Sequence, residues 1–156
     1  MSQDIIYRKA RISDLDQISK VDVFAFGKYS YPRFFLRQAF DILGGLLEIA
    51  ESESKSDCII GYTLGAINID DMNEGWIISL AVTPTFQQAG IGKELTKNVL
   101  KNLSNRHIKD VYLTVKPGNI PATSLYKGLG FEEDKYDDSY FGTGEGRVLM
   151  VKKILE

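Results

Sequence analysis

The chain carries one cysteine, one histidine and one tryptophan in 156 residues. With Cys58 alone no internal disulfide can form, so a buried core must hold the fold, and a reducing compartment suits it. Cys58 opens the apolar run Cys58-Ile59-Ile60 and is expected to be a buried structural thiol. His107 falls beyond the main helix and is expected at the surface. Neither sign of charge dominates. Lys and Arg number 19 against 21 Asp and Glu, a net charge of −2 that gives no pull toward nucleic acid or an anionic membrane. No apolar run approaches the roughly 18 residues of a spanning helix, and no signal peptide is visible. A soluble, cytoplasmic protein is expected, a monomer or weak homodimer without metal. Internal repeats, low-complexity tracts and linkers are also absent. At 44% hydrophobic and 26% charged residues, one domain spanning residues 1–156 is expected.

What is present is an alternation of strand and helix signals. Ile5–Ala10 reads as a strand, and Ser13-x-x-Asp16 as a helix start leading into Leu15, Ile18 and Val21 to Ala25. Gly27–Pro32 breaks that helix and Phe34–Leu43 resumes a second. Leu46–Ala50 and Ile59–Ile69 read as strands around the polar turn Glu51–Asp57. Trp76–Val82 is a strand, Ile91–Leu103 the main helix and Val111–Val115 another strand. The single helix between those two strands makes them parallel. Pro121–Leu129 reads as a short helix, with Phe131–Tyr136 and Arg147–Ile154 closing around the polar loop Asp137–Gly146. This is an α/β domain with one mixed sheet. Lys93, Lys97 and Lys101 line a helix face opposite Leu95, Val99 and Leu103, which reads as a solvated face.

The most telling stretch is Ser79–Gly92, SLAVTPTFQQAGIG. The strand Ile77–Val82 stands before a proline stop at Pro84, a glycine-rich turn follows, and a helix opens. Such a turn exposes backbone N–H groups without helical partners, backed by the helix dipole, and this suits a pyrophosphate. A G-x-G spacing alone arises by chance roughly once per 200 positions, so the flanking strand and helix carry the weight. The phosphate-loop pattern fails because Glu94 follows Gly92-Lys93, and the dinucleotide fingerprint fails at Leu95. The pattern that fits is Q/R-x-x-G-x-G/A, met by Gln87, Gly90 and Gly92. Further on stand Leu113-Thr114-Val115, Asn119 and Leu125-Tyr126-Lys127-Gly128-Leu129-Gly130-Phe131. Tyr140-Phe141-Gly142-Thr143-Gly144-Glu145 and Met150 follow.

From about Trp76 to Leu155 these motifs resemble the N-acetyltransferase (GNAT) superfamily. Within it they are similar to protein N-terminal acetyltransferases, both the ribosomal-protein alanine type and the archaeal and eukaryotic NatA catalytic type. The first half follows the same element order. The resemblance implies a GNAT fold, a mixed and mostly antiparallel sheet of about seven strands flanked by about four helices. It implies acetyl-CoA, with the pyrophosphate on Gln87, Gln88, Ala89, Gly90, Ile91, Gly92 and Lys93. The pantetheine arm would lie along Leu80, Ala81 and Val82, and an N–H near Val82 would polarise the thioester carbonyl. Asn119 would contact the cofactor arm, or simply cap the next helix. Tyr126 would protonate the departing thiolate; without the motif it reads as a core-edge tyrosine. Tyr29, Tyr31, Thr114, Tyr140 and Phe141 would face the acceptor.

Departures from the pattern matter. Thr114 stands where relatives place Glu or His, Trp76 where others use His or Tyr, and Tyr29 where many NatA-type enzymes carry an acid. Glu74 is the nearest alternative base, or else a solvated turn carboxylate; water is the remaining acceptor. An α-amine with pKa near 7.8 is roughly 10–15% neutral at pH 7, against about 0.04% for lysine, a gap of about 3.4 kcal/mol. A site without a base therefore favours protein N-termini as acceptors. A small-molecule amine acceptor and a non-catalytic acyl-CoA-binding module stay open.

Overall fold

Alternating apolar residues make strands, and glycine, proline or Asx turns end them. A computed structural model describes residues 4–54 and 58–156. In chain order it comprises β1 (Ile5–Lys9), α1 (Leu15–Phe26), α2 (Arg33–Leu43), β2 (Leu47–Ser52), β3 (Cys58–Ile67) and β4 (Glu74–Val82). Then come α3 (Ile91–Asn105), β5 (Asp110–Val115), α4 (Ile120–Gly128), β6 (Glu132–Asp137) and β7 (Arg147–Lys153). The strands form one sheet in the order β1-β2-β3-β4-β5-β7-β6. Every neighbouring pair is antiparallel except β4 with β5, as the crossover through α3 requires.

Helices cover both faces. On one, α3 buries Ile91, Leu95, Val99, Leu100 and Leu103, and with α4 it closes over Leu113, Val115 and Met150. Removing each fully buried leucine or valine from water is worth roughly 2 kcal/mol. Gly65 lets α3 come close, since a Cβ there would stand 2.7 Å from Val99 Cγ2. On the other face α1 and α2 pack Leu15, Ile18, Val21 and Leu36 against Leu47, Ile49, Tyr62 and Leu64. Lys93, Lys97 and Lys101 face solvent as expected. β6 closes the sheet as an outer strand, Glu132-Glu133-Asp134-Lys135, exposed along most of its length and bulged between Glu133 and Lys135.

Several boundaries and one burial differ from the sequence reading. The first helix is not opened by Ser13. A 3₁₀ turn, Ile12–Asp14, precedes α1, and Asp14 Oδ2 accepts the Arg11 N–H at 2.7 Å while its carboxylate takes Arg8 at 2.7 and 3.0 Å. A carboxylate serving a guanidinium and a backbone amide together outcompetes a hydroxyl cap. β3 stops at Ile67 because Asn68 opens an Asx turn, its Oδ1 accepting the Asp70 N–H at 3.0 Å. Cys58 is half-buried rather than buried, for it begins β3 at the sheet margin opposite Ser52. Part of the expected turn before it, residues 55–57, lies outside the described residues.

Candidate active site

The centre of the site is a gap between two parallel strands. β4 pairs with β5 only at Glu74↔Asp110, Gly75↔Val111 and Trp76↔Tyr112, although it stays on β3 through Val82. Past Trp76 the β5-facing edge of β4 is therefore unpaired among the described residues. A bulge sharpens the departure. Leu64 pairs with Ser79 and Gly65 with Ile77, leaving Ile78 unmatched, and such an insertion bends a strand. It also resets the alternation. Ile78 packs with the α1–α2 core, and Ser79 reaches Tyr62 in that same core. Leu80 and Val82 consequently face α3, where both lie beside Gly92 and Leu125, 3.7, 3.9 and 3.6 Å from a Cβ placed on that glycine. The end of β4, the start of α3 and α4 thus converge.

At that convergence the chain offers free donors. The first α3 amide with a backbone acceptor is Glu94, bonded to Gly90 O at 3.1 Å. The N–H groups of Gln88, Ala89, Gly90, Ile91, Gly92 and Lys93 have no protein acceptor among the described residues. Gln88 at φ 64° and Gly90 at φ 81° turn this segment back on itself. A Cβ on Gly90 would meet nothing within 4 Å, so the space beside it is open. Phe86, Ile91 and Leu95 anchor the turn in a small core with Ala50 and Ile60. Gln87 is committed to structure, its Nε2 donating to Val82 O at 3.1 Å. Thr83 Oγ1 is the enclosed side-chain oxygen left without a partner among the described residues. These free amides and the unpaired strand edge fit a pyrophosphate on an extended arm.

Tyr126 is buried on α4, its ring edge-on to Phe131 at 5.6 Å between centroids. Its hydroxyl makes no hydrogen bond to protein among the described residues and is not sealed from solvent. Burial pushes the phenol well above its usual range, so it stays protonated. Asn119 acts as the cap of α4, Oδ1 accepting the Ala122 N–H at 3.2 Å.

Two loops far apart in the chain meet each other. Tyr29, in the turn after α1, donates its hydroxyl to Glu145 Oε1 at 2.8 Å across the cleft. That hydrogen bond outweighs desolvation and, with Arg147 at 3.4 Å, holds the Glu145 carboxyl below its usual range. Tyr140 and Phe141 pack edge to face at 4.8 Å, and the Arg147 guanidinium covers Phe141 at 4.8 Å. Burial, then Asp137 and Glu74, push the Tyr140 phenol up. Tyr31 stacks on Phe35 at 4.6 Å, its hydroxyl donating to Ile78 O at 3.2 Å. Thr114 is half-buried on β5 with Tyr112, whose ring stacks on Trp76 at 5.4 Å. Glu74 is occupied. Its Oε1 accepts the Trp76 indole N–H at 2.5 Å and Asn68 Nδ2 at 3.3 Å, and it stands roughly 25 Å along the strand from Val82. His107 is exposed.

The acetyltransferase (GNAT) family model matches residues 12–131, most of the chain. The chain belongs to the GNAT acetyltransferase family. An N-alpha-acetyltransferase of Sulfolobus acidocaldarius is 32% identical over 153 residues, covering 92% of this chain and 89% of the relative. The NatC complex bound to Gag peptide and CoA superposes with a TM-score of 0.85 at 23% identity, over 96% of this chain and 98% of that one. A diaminobutyrate acetyltransferase from Paenibacillus lautus, solved with its substrate and coenzyme A, reaches 0.84 at 14% identity, over 99% and 98%. The seven-stranded, mostly antiparallel sheet flanked by four helices matches the GNAT fold.

Sequence reasoning names the turn, Tyr126 and both loops as candidates. It missed the ties behind them: the Tyr29–Glu145 bridge, Leu125 beside Gly92, and the buried set Asp22, Tyr62 and Ser79. One signal was available. Asp22 continues the Leu15, Ile18 spacing on the apolar face of α1, where a carboxylate has no reason to be unless bonded.

Proposed function

We propose that this protein transfers the acetyl group of acetyl-CoA to the α-amine of protein N-termini. The observation that carries the reading is the parting of β4 from β5 beside the free amides of residues 88–93. Acetyl-CoA supplies the activated acetyl thioester. The amides of Gln88 to Lys93 bind its pyrophosphate, and Leu80, Ala81 and Val82 pair with the pantetheine arm through their open edge. An N–H near Val82 stabilises charge developing on the carbonyl oxygen. Tyr126 holds a proton at its hydroxyl for the departing sulfur; as a phenol it is a weak acid, so position governs its use more than driving force. Asn119 keeps Nδ2 for the cofactor arm while Oδ1 caps α4.

On the acceptor side, Tyr29, Tyr31, Thr114, Tyr140 and Phe141 surround the amine and the first peptide bonds. Glu74 serves as a holder of Trp76, so the amine gives its proton to water. That arrangement suits an α-amine, already partly neutral at pH 7, better than lysine. The archaeal relative named for N-alpha acetylation and the peptide-bound neighbour support this choice. The diaminobutyrate enzyme shows that the fold also serves a small amine, and the experiment separates the two. Peptides with free N-termini are acetylated and their N-terminally blocked, lysine-bearing counterparts react far more slowly, as read by mass spectrometry. Comparable lysine modification, or transfer to small amines alone, overturns the reading.

A further inference from the structure

Asp22 lies on α1 with no exposed surface, and a desolvated carboxylate costs several kcal/mol unless well bonded. No cation pairs with it among the described residues. Its partners are a backbone amide and a phenol: Tyr31 N–H donates to Oδ2 at 2.6 Å and Tyr62 O–H to Oδ1 at 2.5 Å. An apolar residue of similar volume would often be no less stabilising at such a place, so the destination of these bonds is what matters.

Both lead to the β4 bulge. Tyr62 has given its one proton to Asp22, so Ser79 must be the donor in their 2.7 Å hydrogen bond. Tyr31, held at its amide by Asp22, donates its hydroxyl to Ile78 O at 3.2 Å. Ile78 is the residue left unmatched by the bulge, and Ser79 is the next. Thr63 adds a further tie, Oγ1 donating to Ser79 O at 3.1 Å. Asp22, Tyr31, Ile78, Ser79 and Tyr62 thereby form a closed ring. One side is the loop that carries Tyr29 and Tyr31; the other is the bend that turns Leu80 and Val82 toward α3.

We propose that Asp22 is a positioning residue for the acceptor. Through Tyr31 and Tyr62 it holds the loop after α1 in fixed register with the β4 bulge, so that the acceptor amine meets the acetyl group at one geometry. The proposal rests on the acetyl-transfer reading above. It assigns Asp22 no contact with either substrate. A misplacement on the order of 1 Å costs up to about 100-fold in rate, which gives a rigid ring at this point its value.

Tyr62→Phe and Tyr31→Phe each delete one hydroxyl and keep the ring, and Asp22→Asn retains an acceptor and serves as the conservative variant. Each single Phe variant lowers kcat/KM for the acceptor about tenfold while the acetyl-CoA Kd, by calorimetry, stays within about twofold. The double variant loses less than the product of the two, because both hydroxyls close one ring on the β4 bulge, and Asp22→Asn recovers part of what Asp22→Ala loses. A purely structural ring lowers the thermal midpoint and leaves kcat/KM for the acceptor unchanged, and that result overturns the proposal. So does parallel weakening of acetyl-CoA. Amide hydrogen exchange provides a readout independent of turnover. In Tyr62→Phe, exchange rises together in residues 27–32 and 78–80; a rise confined to one segment refutes the coupling. If the wild-type protein acetylates no amine while the two segments still loosen together, the function reading falls and the ring stands.

Discussion

Gly90→Asp tests the anion site without disturbing the fold around it. A Cβ there touches nothing within 4 Å, so no packing is lost. The backbone at φ 81° is left-handed, where an L-residue costs about 1–2 kcal/mol and Asp is among the better tolerated. The new carboxylate sits beside the free amides of residues 88–93. At ~5 Å and an effective dielectric of ~20, one unit charge repels another by ~3 kcal/mol, roughly 150-fold in affinity at 1.36 kcal/mol per decade. Screening at this exposed turn lowers that, leaving at least about tenfold at physiological salt. Calorimetric titration of CoA into folded wild type, Gly90→Asp and Gly90→Ala separates the contributions. Alanine carries the strain without the charge and keeps CoA affinity within about threefold. Unchanged affinity in Gly90→Asp removes the pyrophosphate from this turn. Equal weakening by alanine assigns the effect to backbone strain instead.

Tyr126→Phe keeps the edge-on contact with Phe131 and deletes the proton donor. General acids contribute about 10²–10⁴-fold, so kcat falls at least about tenfold with KM for acetyl-CoA little changed, measured where chemistry limits turnover; a wild-type kcat returns Tyr126 to the core. Asp14→Asn probes the start of α1. Burial works to raise the Asp14 carboxyl, but Arg8 and the Arg11 amide prevail and hold it below its usual value. Stability from a depressed carboxylate is present above its unfolded pKa near 3.9 and is lost as pH falls through the lower folded value. Urea unfolding should therefore show a deficit of about 2 kcal/mol at pH 7 that shrinks below about pH 4; a deficit constant with pH refutes the ionic role. Tyr29→Phe removes the hydroxyl from Glu145, so the Glu145 carboxyl moves back up toward its ordinary value in an NMR titration, and no movement refutes the bridge.

Local signals carried most of the fold. The sequence of strands and helices followed from apolar period and punctuation, and the parallel pair from the helix between them. Errors fell where a side chain competed with the backbone. Asp14 displaced Ser13 as the helix-opening group, and Asn68 ended β3 early. The candidate site was legible where it depends on a contiguous turn, as at Gly90 and Gly92, and opaque where partners lie far apart in the chain. Tyr29 and Glu145 are 116 residues apart, and no pattern in either neighbourhood announces the other. The bulge at Ile78 was equally hidden, because SLAV reads as a regular strand until its register on β3 is known. Glu74 looked like a free carboxylate for a similar reason, its bond to Trp76 being invisible in a list of residues.

The outer strand β6 has a consequence for how the molecule lives among its copies. An uncovered sheet margin offers a row of N–H and C=O groups to any passing chain, and this is a common start for intermolecular β-pairing. Here the margin carries Glu132, Glu133, Asp134 and Lys135 in succession, and the bulge between Glu133 and Lys135 breaks its straight edge. A second copy docking edge to edge would set carboxylates against carboxylates and lose ladder register at Asp134. The strand that ends the sheet thus also guards against its continuation into a filament.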